Sequence, residues 1–223
     1  VINLYYVKNE YNYTVNYLEK GTDKPLEESQ TIKEEFGTVI LTEDEVIDID
    51  GYIFDSADKS ELTIGADETN NVINIYYVKG EYGYKVNYLE KGTNKKLKKA
   101  KGVSDTVFGS VVQSSGEVID IKGYKYDSVD KDSLTIGTEL SENVINIYYV
   151  KQNYEYTIKF LDVETNEPIK DPKKETKPYE TVIKASDEIV DIDGYTYDSV
   201  DKEEITISPD EQDNVIVIYY RKN

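Results

Sequence analysis

The sequence contains no histidine, cysteine, methionine or tryptophan. Without cysteine there is no disulfide and no thiolate nucleophile or metal ligand; without histidine there is no imidazole base, no Ser–His machinery and no imidazole-ligated metal or haem. Most enzyme chemistries leave with those two side chains. Phenylalanine is also scarce, 4 residues against 22 tyrosines, so the apolar supply of a chain that is 38% hydrophobic is strongly amphipathic. Such a composition suits thin sheets with one wet face. Positive charge is in deficit as well: 26 Lys and Arg stand against 45 Asp and Glu, a net charge of −19. That balance argues against nucleic acid and anionic membranes as partners, because both need a cationic footprint. No apolar run approaches the ~18 residues of a membrane span. No secretory signal is recognisable, and the chain is expected to be a segment of something longer.

What is present is repetition. NVINIYYVK occurs at 71–79 and again at 143–151, 214–222 reads NVIVIYYRK, and the chain opens with VINLYYVK at 1–8. A second marker keeps the same period: YTVNYLEKGTDKPL from Tyr13, YKVNYLEKGTNKKL from Tyr84 and YTIKFLDVETNEPI from Tyr156. A fixed period of this length signals a repeat architecture. The expected domains are repeat 1 at 9–79, repeat 2 at 80–151 and repeat 3 at 152–223, with 1–8 as the last strand of an upstream repeat, poorly ordered or borrowed by a neighbour.

Within each repeat the apolar period is two, which specifies strands. The opening strand places Tyr84, Val86 and Tyr88 on one face, as do Tyr13, Val15 and Tyr17, and Tyr156, Ile158 and Phe160. A tight turn at 90–94, with Gly92 and Asn94 able to take positive φ, leads into a polar second strand. EVIDIDGYIFDS at 45–56 continues the alternation through a bend or bulge at Gly51, and Asp55–Lys59 reads as an Asx turn or a one-turn cap. A short strand is expected at 62–64, and the closing strand turns Ile73, Ile75 and Tyr77 inward. The best place for a short helix is 36–46.

Five residues separate the closing strand of one repeat from the opening strand of the next, Lys79–Gly83 and Lys151–Glu155. They reach at most ~17 Å. End-to-end stacking over so short a link is easiest when the first and last strands of a repeat run parallel, the arrangement at the centre of a β-grasp sheet. The expected class is therefore mainly β (α+β at most), with tandem β-grasp or ubiquitin-like repeats stacked end to end into an elongated rod. Tyr82 and Tyr154 stand at the junctions, where they are placed to stiffen the joint.

The order Y-T-V-N-Y-L, G-T, P-L, then F-G-T-V or F-G-S-V, then I-D-G-Y and V-I-N-I-Y-Y resembles the mucin-binding-protein (MucBP) repeat of Gram-positive bacterial surface proteins. The resemblance covers all three repeats. It implies a β-grasp-like domain in tandem in wall-anchored surface proteins, with mucin or host glycans as partners, and it carries no catalytic residues and no cofactor. The third copy departs from it, with Tyr179-Glu180-Thr181-Val182 in place of Phe-Gly and with Asp171-Pro172-Lys173-Lys174.

Several constellations bear on chemistry. Asp48, Asp50, Asp55 and Asp58 suggest calcium, but Lys122 stands where repeat 2 would need a ligand, so solvated strand faces and Asx turns are favoured. A glycosidase would need one pocket with two carboxylate environments, whereas these acids recur in every copy. A Lys85–Asn146 isopeptide finds no general support, because Thr14 and Thr157 replace the lysine. Tyr76, Tyr148 and Tyr219 lie on the outer face of the closing strand as candidate ligand-binding residues for stacking on sugars; cover for the sheet or for a joint is the alternative.

Charge drifts while the strand pattern persists: 10–79 carries 17 acids and 5 bases, 80–151 carries 10 and 11, and 152–223 carries 18 and 9. That drift favours a spacer over a charged ligand site in every copy. The Lys95–Lys101 stretch, the only basic patch, reads as an edge-strand guard. The functional expectation is a non-enzymatic, monomeric stalk in an adhesin at the bacterial cell surface, its alternative direct multivalent binding of glycans.

Overall fold

The computed structural model describes residues Val1–Asn223. One pattern of six strands occurs three times. In the first repeat these are β1 (Glu10–Glu19), β2 (Gln30–Glu35), β3 (Val39–Leu41), β4 (Tyr52–Ala57), β5 (Glu61–Thr63) and β6 (Val72–Lys79). The second has β7 (Glu81–Glu90), β8 (Lys101–Val107), β9 (Val111–Gln113), β10 (Tyr124–Val129), β11 (Ser133–Thr135) and β12 (Val144–Lys151). The third has β13 (Asn153–Asp162), β14 (Pro168–Pro178), β15 (Val182–Lys184), β16 (Tyr195–Val200), β17 (Glu204–Thr206) and β18 (Val215–Lys222). The chain divides by contacts into two compact units, Val1–Lys85 with Gly102–Val112 and Ser133–Val144, and Val86–Lys101 with Gln113–Asp132 and Ile145–Asn223. Val1–Asn9 form no secondary structure, and Val1–Lys8 are exposed. No helix is long and apolar enough to cross a membrane.

Each main sheet has four strands, in the order β2-β1-β6-β4 and its counterparts β8-β7-β12-β10 and β14-β13-β18-β16. The two central strands run parallel: Val15 lies opposite Ile73 and Tyr17 opposite Ile75, as Ile158 lies opposite Ile216 and Phe160 opposite Ile218. The apolar alternation explains why. Tyr13, Val15, Tyr17, Ile73, Ile75 and Tyr77 are all buried, and a second, two-stranded sheet of β3 and β5 brings Leu62 into the same core. Burying each such side chain contributes about 1.5–3 kcal/mol, so register is fixed by the pattern. The turn after β7 has the predicted positive φ at Gly92 and Asn94.

Two buried polar devices complete each repeat. Asn71 is buried, donates to the carbonyls of Asn12 and Gly65, and accepts from the Gly65 N–H at 2.9 Å. Asn143 and Asn214 repeat this around Gly137 and Ser208. The Tyr77 hydroxyl donates to the Ile47 carbonyl and accepts from the Ile47 N–H, with Tyr149 on Ile119 and Tyr220 on Val190 as its counterparts. These bonds tie the long loop before β4 to the sheet.

The short helix expected within 36–46 is a 3-10 turn at Thr42–Glu45, directly after β3. Gly51, with φ +78°, makes the bend into β4, and the bulge falls beyond it, between Phe54 and Ser56. One local expectation changes. Asp55–Lys59 forms no cap: Asp55 pairs with Lys20, and Asp58 accepts from the Asn74 N–H at 3.0 Å.

Candidate functional site: sheet faces and inter-repeat joints

Tyr76, Tyr148 and Tyr219 point away from the cores of three separate sheets, and each is half-buried rather than open. Tyr76 is flanked by Leu18 and Ser56, Tyr219 by Leu161 and Ser199. The polar neighbours differ between copies. In repeat 1 the Asn16 amide donates to Asn74, whose own amide donates to Asp58, and Ser29 donates to Asn16. Asn87, Asn146 and Asp130 repeat that chain. In repeat 3 Lys159 and Val217 stand in the asparagine positions, and Asp201 accepts only the Val217 N–H. The surroundings of Tyr219 therefore lack the amide ladder. The Asn146 side chain is committed to Asn87 and Asp130, away from any role with Lys85.

The more open rings lie on the edge strands, where period-two alternation alone would place them inside. Phe54, Tyr126 and Tyr197 are 45%, 47% and 43% exposed. Each meets the buried tyrosine of the neighbouring strand edge-on, at 6.3, 6.4 and 6.3 Å. Beside Phe54 lies a cleft of about 690 Å³ lined by Leu41, Val46, Ala57, Lys59 and Glu61 among others. Of the acids that suggested calcium, Asp55 and Asp58 are engaged by protein donors. The bonds from Lys20 and Ser56 hold the Asp55 carboxyl below its ordinary range.

The third arrangement is a joint between repeats, built twice. Within the first compact unit, the N–H of linker residue Gly80 donates to the Gly51 carbonyl at 2.8 Å, and the Gly80 carbonyl accepts from the Phe108 N–H at 2.8 Å. The Phe108 ring lies flat over Gly51, so close that a Cβ there would come within 2.3 Å of its atoms. It meets Tyr52 edge-on at 5.8 Å and Tyr82 at 6.1 Å. Gly51 is thus required twice over, by its positive φ and by the ring. Within the second unit, the Gln152 N–H donates to Gly123 at 2.9 Å and its carbonyl accepts from the Tyr179 N–H at 2.8 Å, with the Tyr179 ring over Gly123 and 5.7 Å from Tyr124.

The second joint adds polar contacts. Gln152 donates its amide to the Tyr124 carbonyl and accepts from the Tyr154 hydroxyl at 3.3 Å. Glu180 has φ +64°, in a place where repeats 1 and 2 have Gly37 and Gly109 at +78° and +74°. A non-glycine residue there costs about 1–2 kcal/mol. Its carboxylate lies 3.1 Å from Lys151 and 3.7 Å from Lys95, and Lys151 above all holds it below the usual glutamate range. The Tyr124 hydroxyl, which reaches toward Glu180 at 3.5 Å, is pushed up to about 12, chiefly by burial and then by Glu90 and Glu180.

No family model and no curated protein matches the chain. Among solved structures it is similar to Streptococcal High Identity Repeats in Tandem (SHIRT) domains 3-4 from a cell surface protein, at 15% identity and TM-score 0.26, over 63% of this chain and 98% of that one. It is similar to Mub-RV at 13% identity and TM-score 0.22, over 63% and 98%. It is also similar to the type 2 repeat of the mucus binding protein MUB from Lactobacillus reuteri, at 10% identity and TM-score 0.25, over 95% and 99%.

Tyr82 and Tyr154 stand at the junctions, as expected, but the rings that cross onto the glycines belong to Phe108 and Tyr179, which period-two alternation does not single out. Their signal was the aromatic residue recurring at Phe36, Phe108 and Tyr179, each followed by a position of positive φ.

Proposed function

We propose that this chain is a non-enzymatic repeat region of a bacterial cell-surface protein, related to MucBP repeats, that acts as a stalk. Its β-grasp-like repeats would be joined end to end into a rod, holding a more distal adhesive part away from the wall. The observation that carries this reading is the joint. The same aromatic-on-glycine contact and the same two-step backbone relay occur at both junctions, while the charges around them drift freely. A linker residue whose N–H binds one repeat and whose carbonyl binds the next has little torsional freedom left. Small-angle scattering tests the reading. A compact globule of this length has a radius of gyration of about 17 Å, whereas three units of about 33 Å, each one ten-residue strand long, placed in line give about 30 Å. The larger value is expected, and the smaller would refute end-to-end stacking.

The second reading is direct multivalent binding of mucin or host glycans, favoured by two sets of rings that recur on opposite faces of each sheet: solvent-facing Phe54, Tyr126 and Tyr197 on one, half-buried Tyr76, Tyr148 and Tyr219 on the other. Weak single sites multiplied over repeats gain strength through avidity. Binding of the intact chain to a mucin surface discriminates the two. Saturable binding lost in the triple Ala variant of either set of rings, with folding intact, supports direct recognition; no binding at high surface density leaves the stalk alone.

A further inference from the structure

The joint has a third occurrence, present as two separate halves. At one, Gly194 has φ +76°, close to Gly51 and Gly123, and its carbonyl accepts from the Asn223 N–H at 3.1 Å as theirs accept from Gly80 and Gln152. The Tyr195 N–H donates to Ile192 as Tyr52 does to Ile49 and Tyr124 to Ile121. Yet Gly51 and Gly123 are buried under a ring, whereas Gly194 is exposed and has nothing within 4 Å of where a Cβ would stand. At the other half, Phe36 reproduces Phe108. Its N–H donates to the Asn9 carbonyl at 2.8 Å, its ring meets Tyr11 edge-on at 6.1 Å, and it is 50% exposed.

We propose that the Gly194–Tyr195 face is a docking surface for a further repeat of this same type, which enters in line from Asn223 and lays the aromatic residue of its Phe36-type loop flat on Gly194. Three features assign that occupant. The Asn223 carbonyl is the acceptor that Gly80 and Gln152 offer to Phe108 and Tyr179. Both Phe and Tyr fit the glycine, since one joint uses each. Lys222 stands where Lys151 receives Glu180, so the face takes either version of the loop. Entry is in line because Asn9 and Asn223 hold the same place in the relay. A separate copy bringing its own Asn9 would set two residues in one position.

The test is the full chain extended after Asn223 by a second copy of residues 10–79, followed by hydrogen exchange. The Phe36 amide of the added copy is expected to exchange about tenfold or more slowly than the original Phe36 amide in the same molecule. Gly194→Asn tolerates positive φ but puts a Cβ where the ring must lie. It is expected to return the added amide to the original rate, as is Phe36→Ala in the added copy alone, while the Ile207 amide in the core of the third repeat, bonded to the Thr181 carbonyl, keeps its rate and reports intact folding. Equal rates for the two Phe36 amides, or no effect of Gly194→Asn, would overturn the proposal. Concentration-dependent self-association of the unextended chain, abolished by Gly194→Asn, would assign the face to a separate copy and overturn in-line entry.

Discussion

The two joints share a backbone and differ in everything polar around it. The first is made by Gly80, Gly51 and the rings of Phe108, Tyr52 and Tyr82. The second keeps the relay and the ring over glycine, then adds the Gln152 side chain and the Glu180 ion pairs. What is common must therefore be sufficient for joining, and what differs sets how each joint responds to its surroundings. A ring seated on a glycine excludes water from the relay beneath it, where hydrogen bonds gain most from a low dielectric. An exposed ion pair contributes little in water and is screened by salt.

The largest expected effects come from attacking the shared part. Gly51→Val and Gly123→Val each place a branched side chain at positive φ and into a ring 2.3 Å away, and each is expected to destabilise its joint by about 2–4 kcal/mol in denaturant titration. Similar losses at both would establish the shared core of the joint; a loss at one alone would break the comparison. Next come the rings. Phe108→Ala and Tyr179→Ala are expected to cost about 1–2 kcal/mol, because the rings are only half-buried, whereas Phe36→Ala costs under about 0.5 kcal/mol.

The smallest effects belong to the polar additions and sharpen the difference. Glu180→Gly removes the strained φ together with the ion pairs, so little net change in stability is expected at neutral pH. What disappears is the sensitivity to salt and acid. Lys151 depresses the folded-state titration of Glu180, so its contribution is complete above the ordinary glutamate value of about 4.3 and is lost as pH falls through the depressed value. The second joint is thus expected to loosen on acidification below about pH 4.5. Gly109 occupies the matching place in the first joint, which lacks this response. Amide chemical shifts of Phe108 and Tyr179 followed through an acid titration check the contrast.

How much of this was legible in the sequence follows from what a period of two can say. It names the inner face, and Tyr13, Val15, Tyr17, Ile73, Ile75 and Tyr77 are buried as the alternation requires. Linker length led to parallel first and last strands, which β1 and β6 and β13 and β18 form. Alternation carries no information about loop residues that meet another repeat, so it does not single out Phe108 or Tyr179; Tyr82, expected at the junction from its place in the linker, braces Phe108 there. Nor does it distinguish edge from central strands. Phe54 keeps the alternation of its strand yet is 45% exposed, because that strand is an edge. The asparagine preceding each closing strand was visible as a recurring letter, but its work, three bonds across residues up to 60 positions apart, exists only in the fold.

At each joint a ring on a glycine, fastened through one linker residue, couples one repeat to the next. Native-state hydrogen exchange at three amides tests it most directly, because Phe36, Phe108 and Tyr179 make the same backbone bond and only the last two have a glycine beneath them. Slow exchange at Phe108 and Tyr179 with fast exchange at Phe36 is the predicted result; fast exchange at all three would contradict the account.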